Sequence, residues 1–170
     1  NFSETYTFHD VVKEAGVQGF TEPDPKIDLS GVDVARKILI LIRESGYQME
    51  MEDIENNSFL PKECMETSNN EDFFKSLTKH SSHFEKLLKE AKEKDCRLKF
   101  VAKFDNGKAS VGLQFIPKES PFYNLEGKDN IVEFFTDRYV DQPLIIKGAG
   151  AGAAVTASGI FADVIRIGNV

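Results

Sequence analysis

Apolar residues recur at helical spacing in several stretches of the chain and alternate with polar ones in others. Phe8, Val11, Val12 and Ala15 share one helical face, which predicts a short helix with Thr7 as its cap and Gly16 as its end. Val34, Ile38, Leu39, Leu41 and Ile42 predict a second helix over about 31–45, closed by Gly46. Asn69 and Asn70 open a third, carrying Phe73, Phe74 and Leu77. Ser81 or Ser82 opens a fourth, through Phe84, Leu87, Leu88 and Ala91. Alternation of period two appears weakly between Tyr47 and Asn57. It is strong after Cys96, where Leu98, Phe100, Ala102 and Phe104 oppose Lys99 and Lys103. Asp105-Asn106-Gly107 signals a tight turn, and the chain returns with Ala109, Val111, Leu113 and Phe115 on one face. Further strands are expected over about 130–135 and 144–147, with irregular chain over 58–68 and 117–129. A last helix follows the glycine run at 148–152 and carries Ile160, Phe161, Val164 and Ile165. Helices come first and antiparallel strands later, without βαβ alternation. The expectation is an α+β fold, a mostly antiparallel sheet with helices packed on one face.

The stretch 19–37, GFTEPDPKIDLSGVDVARK, changes from loop to helix midway. Pro23 and Pro25 lack an N–H and push their predecessors out of the α region, so a non-helical acidic loop is expected up to Ser30. Ser30 then serves as the predicted N-cap, with Asp33 in the place of a capping-box acid. Asp33 and Lys37 are four apart and share one face. Periodicity alone reads them as an exposed ion pair. Their position at the margin of a buried face, directly after a loop rich in carboxylates, adds a chemical reading. A lysine held beside a carboxylate can give a proton to a developing alkoxide, and Glu22 and Asp28 suit a cationic group such as an ammonium. The same carboxylates would suit Ca²⁺, but the spacing and final Glu of an EF-hand loop are absent.

Totals narrow the picture. The 170 residues suffice for a sizeable core, and 41% hydrophobic residues with 14 Phe indicate a globular chain. Apolar runs are too short for a bilayer span, so no membrane partner is expected. A net charge of −7 with dispersed Lys and Arg argues against nucleic acid. The Lys-rich stretch 86–94 is interleaved with Glu, as on a solvated helix face. Cys64 and Cys96 form no CxxC and are expected as free thiols in a reducing compartment; a cytoplasmic location is expected. His9, His80 and His83 show no metal-ligand spacing, so no metal is assigned. The first residue is not Met and no basic-then-apolar leader pattern is present, which suggests a piece of a longer chain.

The glycine run GAGAG over 148–152 lies between a strand and a helix, where backbone can approach a ligand and a helix N-terminus attracts anions. It is not a GxGxxG fingerprint, because its third glycine falls one residue early and no strand and acid follow. Close packing of the last helix is the structural alternative.

Two blocks together, TEPDP-x-x-D-L-S-G-x-D-V-A-R-K and KGAGAGAAVTASGIFAD, resemble the homoserine dehydrogenase family, and in particular the C-terminal part of bifunctional aspartokinase/homoserine dehydrogenases. The resemblance covers the whole chain and is weakest over 47–95. It implies that residues 1–170 are the catalytic, substrate-binding and dimerisation domain, without the Rossmann domain that binds NADP or NAD. The implied reaction is NAD(P)H-dependent reduction of L-aspartate 4-semialdehyde to L-homoserine, a step of threonine and methionine biosynthesis. By matching position, Lys37 resembles the proton donor to the aldehyde oxygen, and Asp33 the acid that binds substrate and orients the reacting group. Glu22 resembles the residue that holds the substrate ammonium, supported by Asp28, and Gly152 and Gly19 match cofactor-site positions. A homodimer or higher homo-oligomer is implied. The chain departs from the family with Phe20 where Tyr is common and Ile27 where an acid is common. A competing expectation is a non-catalytic oligomerisation or regulatory module that keeps the acidic loop for structure alone.

Overall fold

The computed structural model describes residue 2 and residues 5–127, 129–150 and 152–169. The chain divides into two compact units, Asn1–Lys118 and Glu119–Val170.

The first unit opens with α1, Phe8–Val17. Thr7 and Asp10 form a reciprocal capping box at its start. The helix runs past Gly16, which was expected to end it, because the chain reverses only at Gly19 (φ +73°). There the Phe20 N–H donates to Ala15 O and the Gly19 N–H to Gly16 O, the paired bonds of a Schellman motif. Next comes α2, Pro25–Leu29, in a segment expected to be non-helical. Proline bars a helix interior but suits the first helical position, where its missing N–H would have no partner. Asp24 caps the turn through the Lys26 N–H at 3.0 Å. Pro25 is buried, and half-buried Leu29 anchors the turn to the helical core.

Helix α3, Val32–Glu44, starts one residue later than expected. Its N-cap is Gly31, in the left-handed region at φ +79°, not Ser30. Ser30 still serves the helix start, since its Oγ accepts the Val32 N–H at 3.2 Å. Asp33 is therefore the second residue of the helix rather than the third, which removes it from capping-box geometry and leaves its carboxylate free for Lys37.

The alternation over 47–57 resolves into a 3₁₀ turn, Met51–Asp53, followed by the short strand β1, Ile54–Asn57. Helices α4 (Lys62–Met65), α5 (Asn70–Lys79) and α6 (Ser81–Glu93) follow. The first of these lies in the stretch expected to be irregular, and α6 is preceded by His80 at its N-cap rather than by a capping serine. Strands β2, Cys96–Asp105, and β3, Lys108–Pro117, form the expected hairpin. Asn106 (φ +49°) and Gly107 (φ +76°) make its two-residue turn, both in the left-handed region that such turns need. β1 pairs with β3 in parallel, giving the order β1-β3-β2.

Helix α3 lies on one sheet face, where Ala35, Leu39 and Ile42 pack with Ile54, Ala109 and Val111 over Phe100, Ala102 and Phe104. Helix α6 covers the far end of the same strands, with Lys94, just past its end, over the Phe115 ring. A second core joins α1, α4, α5 and α6 through Val12, Leu60, Cys64, Phe73, Leu77 and Phe84. Phe8 stacks on Phe84 with ring centroids 4.3 Å apart.

The second unit contains the antiparallel pair β4, Asp129–Thr136, and β5, Tyr139–Ala149, then α7, Ala153–Gly168. β5 extends well beyond the strand expected over 144–147. Val140 and Ile146 on the hairpin and Ile160, Phe161 and Val164 on α7 are exposed. Among the described residues, no helix is long and apolar enough to cross a membrane.

Candidate active site

The candidate residues of the first unit fall into two pairs. In the first, the Glu22 N–H donates to Asp28 Oδ2 at 2.8 Å. Asp28 projects from α2, so the short helix folds the TEPDP segment back on itself and fixes the Glu22 backbone. Both side chains are exposed. In the second, Lys37 Nζ lies 2.9 Å from Asp33 Oδ2, one turn away on α3, with side chains 55% and 62% exposed. The opposite face of α3 is buried, so the pair is carried on a rigid element while remaining open to a ligand. An ammonium that points outward beside a carboxylate can bind and protonate an oxygen that acquires negative charge.

Three long-range hydrogen bonds fix the backbone around these pairs. Asn70 Nδ2 donates to Pro23 O at 2.7 Å, and Lys26 Nζ to Thr67 O at 2.6 Å. Asn56 Nδ2 donates to Ser30 O at 2.7 Å, at the junction of α2 and α3. At that junction there is no room for a side chain on residue 31. A Cβ there would meet Phe100 Cζ at 2.6 Å and Asn56 Oδ1 at 3.2 Å. The sequence offered no pattern for these bonds, because each joins segments at least 26 residues apart. Asn69 and Asn70 were legible only as a helix start, and Asn69 does serve as the cap of α5.

Gly19 owes its conformation to the chain reversal after α1, and its N–H is engaged by Gly16 O. Gly152 lies in the second unit as the N-cap of α7, at φ +132° and ψ +146°, a combination open essentially to glycine alone. Its carbonyl accepts the Thr156 N–H at 3.0 Å, and no side chain caps the α7 N-terminus among the described residues. Uncapped N–H groups at the start of a 16-residue helix fit an anionic group such as a dinucleotide pyrophosphate. Gly150 answers to packing instead: a Cβ there would lie 1.9 Å from Asn130 Nδ2. Ala151, within the same run, lies outside the described residues.

A cavity of about 530 Å³ beside Phe59, His83 and Leu113 includes none of these residues in its lining. Among the described residues, no three His, Cys, Asp or Glu side chains are placed to hold a metal ion.

A family model described as homoserine dehydrogenase matches residues 1–165. The chain belongs to the homoserine dehydrogenase family. Both blocks on which the resemblance rests, residues 21–37 and 147–163, fall inside the matched range. The chain is 44% identical over 169 residues to bifunctional aspartokinase/homoserine dehydrogenase 1, chloroplastic, of Arabidopsis thaliana, covering 98% of this chain and 19% of that one. It is 41% identical to homoserine dehydrogenase of Schizosaccharomyces pombe, covering 96% of this chain and 44% of the relative. A crystal structure of a protein of unknown function from Candida auris superposes with a TM-score of 0.90 at 38% identity, covering 99% of this chain and 48% of that one. The chain thus spans less than half the length of these homoserine dehydrogenase relatives.

Proposed function

We propose that this chain is the catalytic, substrate-binding and dimerisation part of a homoserine dehydrogenase, acting in the cytoplasm within a longer polypeptide. The observation that carries this reading is the Lys37–Asp33 pair, outward-facing on α3 directly after the loop that joins Glu22 to Asp28. The reaction is reduction of L-aspartate 4-semialdehyde to L-homoserine. The substrate ammonium binds the Glu22 carboxylate, with Asp28 holding the Glu22 backbone. Charge that develops on the aldehyde oxygen is met by the Lys37 ammonium, which then gives up a proton. Asp33 keeps the Lys37 ammonium aimed through their 2.9 Å contact, and accepts a hydrogen bond from substrate. NADPH or NADH would supply the hydride and would be held mainly by a nucleotide-binding domain elsewhere in the polypeptide; in the second unit the Gly152 backbone is the position proposed to contact the cofactor, and in the first unit Gly19 is the position that matches a cofactor-site residue of the family. The exposed Ile146, Ile160 and Phe161 are covered by a second copy in a homodimer or higher oligomer.

The test is a steady-state assay of the full-length enzyme with aspartate 4-semialdehyde. Lys37→Ala should cost about 10²- to 10⁴-fold in kcat with the fold intact. Near-normal turnover would overturn the proton-donor role. An inactive wild-type enzyme that still assembles through this segment would favour a non-catalytic oligomerisation module.

A further inference from the structure

We infer that Asn70 and Lys26 form a clasp that positions the substrate-binding carboxylates, and so set substrate affinity without touching substrate. The inference rests on the functional reading above. The bonds are reciprocal: the first turn of α2 sends the Lys26 ammonium to Thr67 O, and the first residue of α5 returns the Asn70 amide to Pro23 O. Both cross between the same two short stretches, 23–26 and 67–70. Lys26 is an unusual residue for an acidic surface loop, since its side chain is only 14% exposed and sits 3.7 Å from Asp24 Oδ2. Its ammonium is therefore turned inward as a strut. A lysine left in solvent would lose several rotamers to gain one such bond, whereas a half-buried one already has them restricted.

The consequence falls on Glu22. Pro23 O, held by Asn70, belongs to the residue next to it, and the Glu22 N–H is held from the other side by Asp28. The Glu22 backbone is thereby bracketed by two fixed points, which sets the position and direction of its Cα–Cβ bond. A fixed backbone anchor lowers the entropy cost of capturing an ammonium, since only the side-chain rotamers remain to be ordered. Lys37 and Asp33 stand on α3, whose packing on the sheet does not involve this clasp. Releasing the clasp should therefore raise KM for the aldehyde and leave kcat little changed.

Asn70→Asp separates positioning from folding. It keeps the side chain's size but loses the donor toward Pro23 O, and it places an acid at the first residue of α5, where the helix dipole favours one. Full-length Asn70→Asp should show KM for aspartate 4-semialdehyde raised about three- to tenfold, with thermal midpoint and kcat near those of the parent. Asn70→Ala, which adds no charge, and Lys26→Met, which keeps the apolar stem, should shift KM in the same direction. If the two bonds work as one clasp, the Asn70→Asp/Lys26→Met double variant raises KM by less than the product of the single effects. Unchanged KM in all three single variants, in an enzyme whose Glu22→Ala variant does raise KM, would overturn the clasp and leave the function intact. Unchanged KM in Glu22→Ala as well would overturn both.

Discussion

Lys37 Nζ and Asp33 Oδ2 lie 2.9 Å apart across one turn of α3, and both side chains remain more than half exposed. An ion pair so placed contributes about 1 kcal/mol to stability at most, because water screens it and two flexible side chains must be ordered to make it. Its chemical value is independent of that figure. Lys37→Met should therefore leave the thermal midpoint almost unmoved while removing at least about 100-fold from kcat. Differential scanning calorimetry and initial rates on the same preparation check both halves. A large drop in midpoint with proportionate loss of rate would make the pair structural.

Glu22 is tested by the split between kinetic constants. Its carboxylate is exposed, and only its N–H is engaged by Asp28. Glu22→Gln keeps the loop bond, which runs through the backbone, and removes the charge that would face the substrate ammonium. KM for aspartate 4-semialdehyde should rise about 10-fold or more, the scale of one charge-assisted hydrogen bond. KM for the dinucleotide should stay constant.

Gly152 makes the complementary prediction. Its backbone angles lie where a side chain costs about 1–3 kcal/mol. Gly152→Ala should shift the start of α7 and raise KM for NADPH or NADH more than KM for the aldehyde. Equal rises in both would place the residue outside the dinucleotide site.

The parts of the fold that were legible are those that local chemistry decides. The β2–β3 hairpin followed from alternation and from Asn106-Gly107, and the caps of α1 and α5 from Thr7 and Asn69. Where several residues compete to start or stop a helix, sequence alone chose wrongly. Ser30 is a better cap by type than Gly31, yet the sharp junction of α2 with α3 demands a left-handed residue, and Ser30 is left to assist from one position back. Pro25 looked like a barrier and is a first helical residue. β1 was too short and too polar to show its parallel pairing with β3. At the candidate site, the Asp33–Lys37 contact was readable as a spacing of four. The supports at Asn56, Asn70 and Lys26 were not, since they depend on which distant segments the two cores bring together.

Gly31 and Gly107 have nearly the same φ, +79° and +76°, in very different surroundings. A Cβ on Gly107 meets nothing within 4 Å, whereas one on Gly31 lands 2.6 Å from Phe100 Cζ. Gly107→Ala should therefore cost only the left-handed strain, about 1–2 kcal/mol. Gly31→Ala adds overpacking against a core aromatic, for a total of about 2–5 kcal/mol. Denaturant unfolding of the two variants checks the difference. Equal losses would mean that Phe100 moves aside freely.

The capping box of α1 gives a prediction with a pH signature. The Thr7 hydroxyl donates to Asp10 Oδ2 at 2.7 Å, the Thr7 N–H donates to the same oxygen at 3.3 Å, and His9 Nδ1 lies 3.1 Å from Oδ1. The Thr7 hydroxyl is the largest influence, followed by the hydrogen bond from His9, and together they hold the Asp10 carboxyl below its ordinary pKa. Folding therefore favours the ionised form. The stabilisation is present above the ordinary carboxylate pKa of about 3.9 and is lost as pH falls through the lowered native value. Asp10→Asn cannot ionise and loses the charge that faces the start of α1, so it should melt lower than the parent at neutral pH. The gap should close as pH drops below about 3.9, where the parent carboxyl also becomes neutral. Thr7→Ala removes the hydroxyl from both directions of the box and should cost about 1 kcal/mol at neutral pH; its gap should narrow in acid without closing, because the Asp10 N–H still donates to Thr7 Oγ in the parent. Thermal melts of the three proteins across the acid range read this directly. A gap that stayed constant with pH would show that the box acts through shape and helix propensity, and that the Asp10 charge contributes nothing.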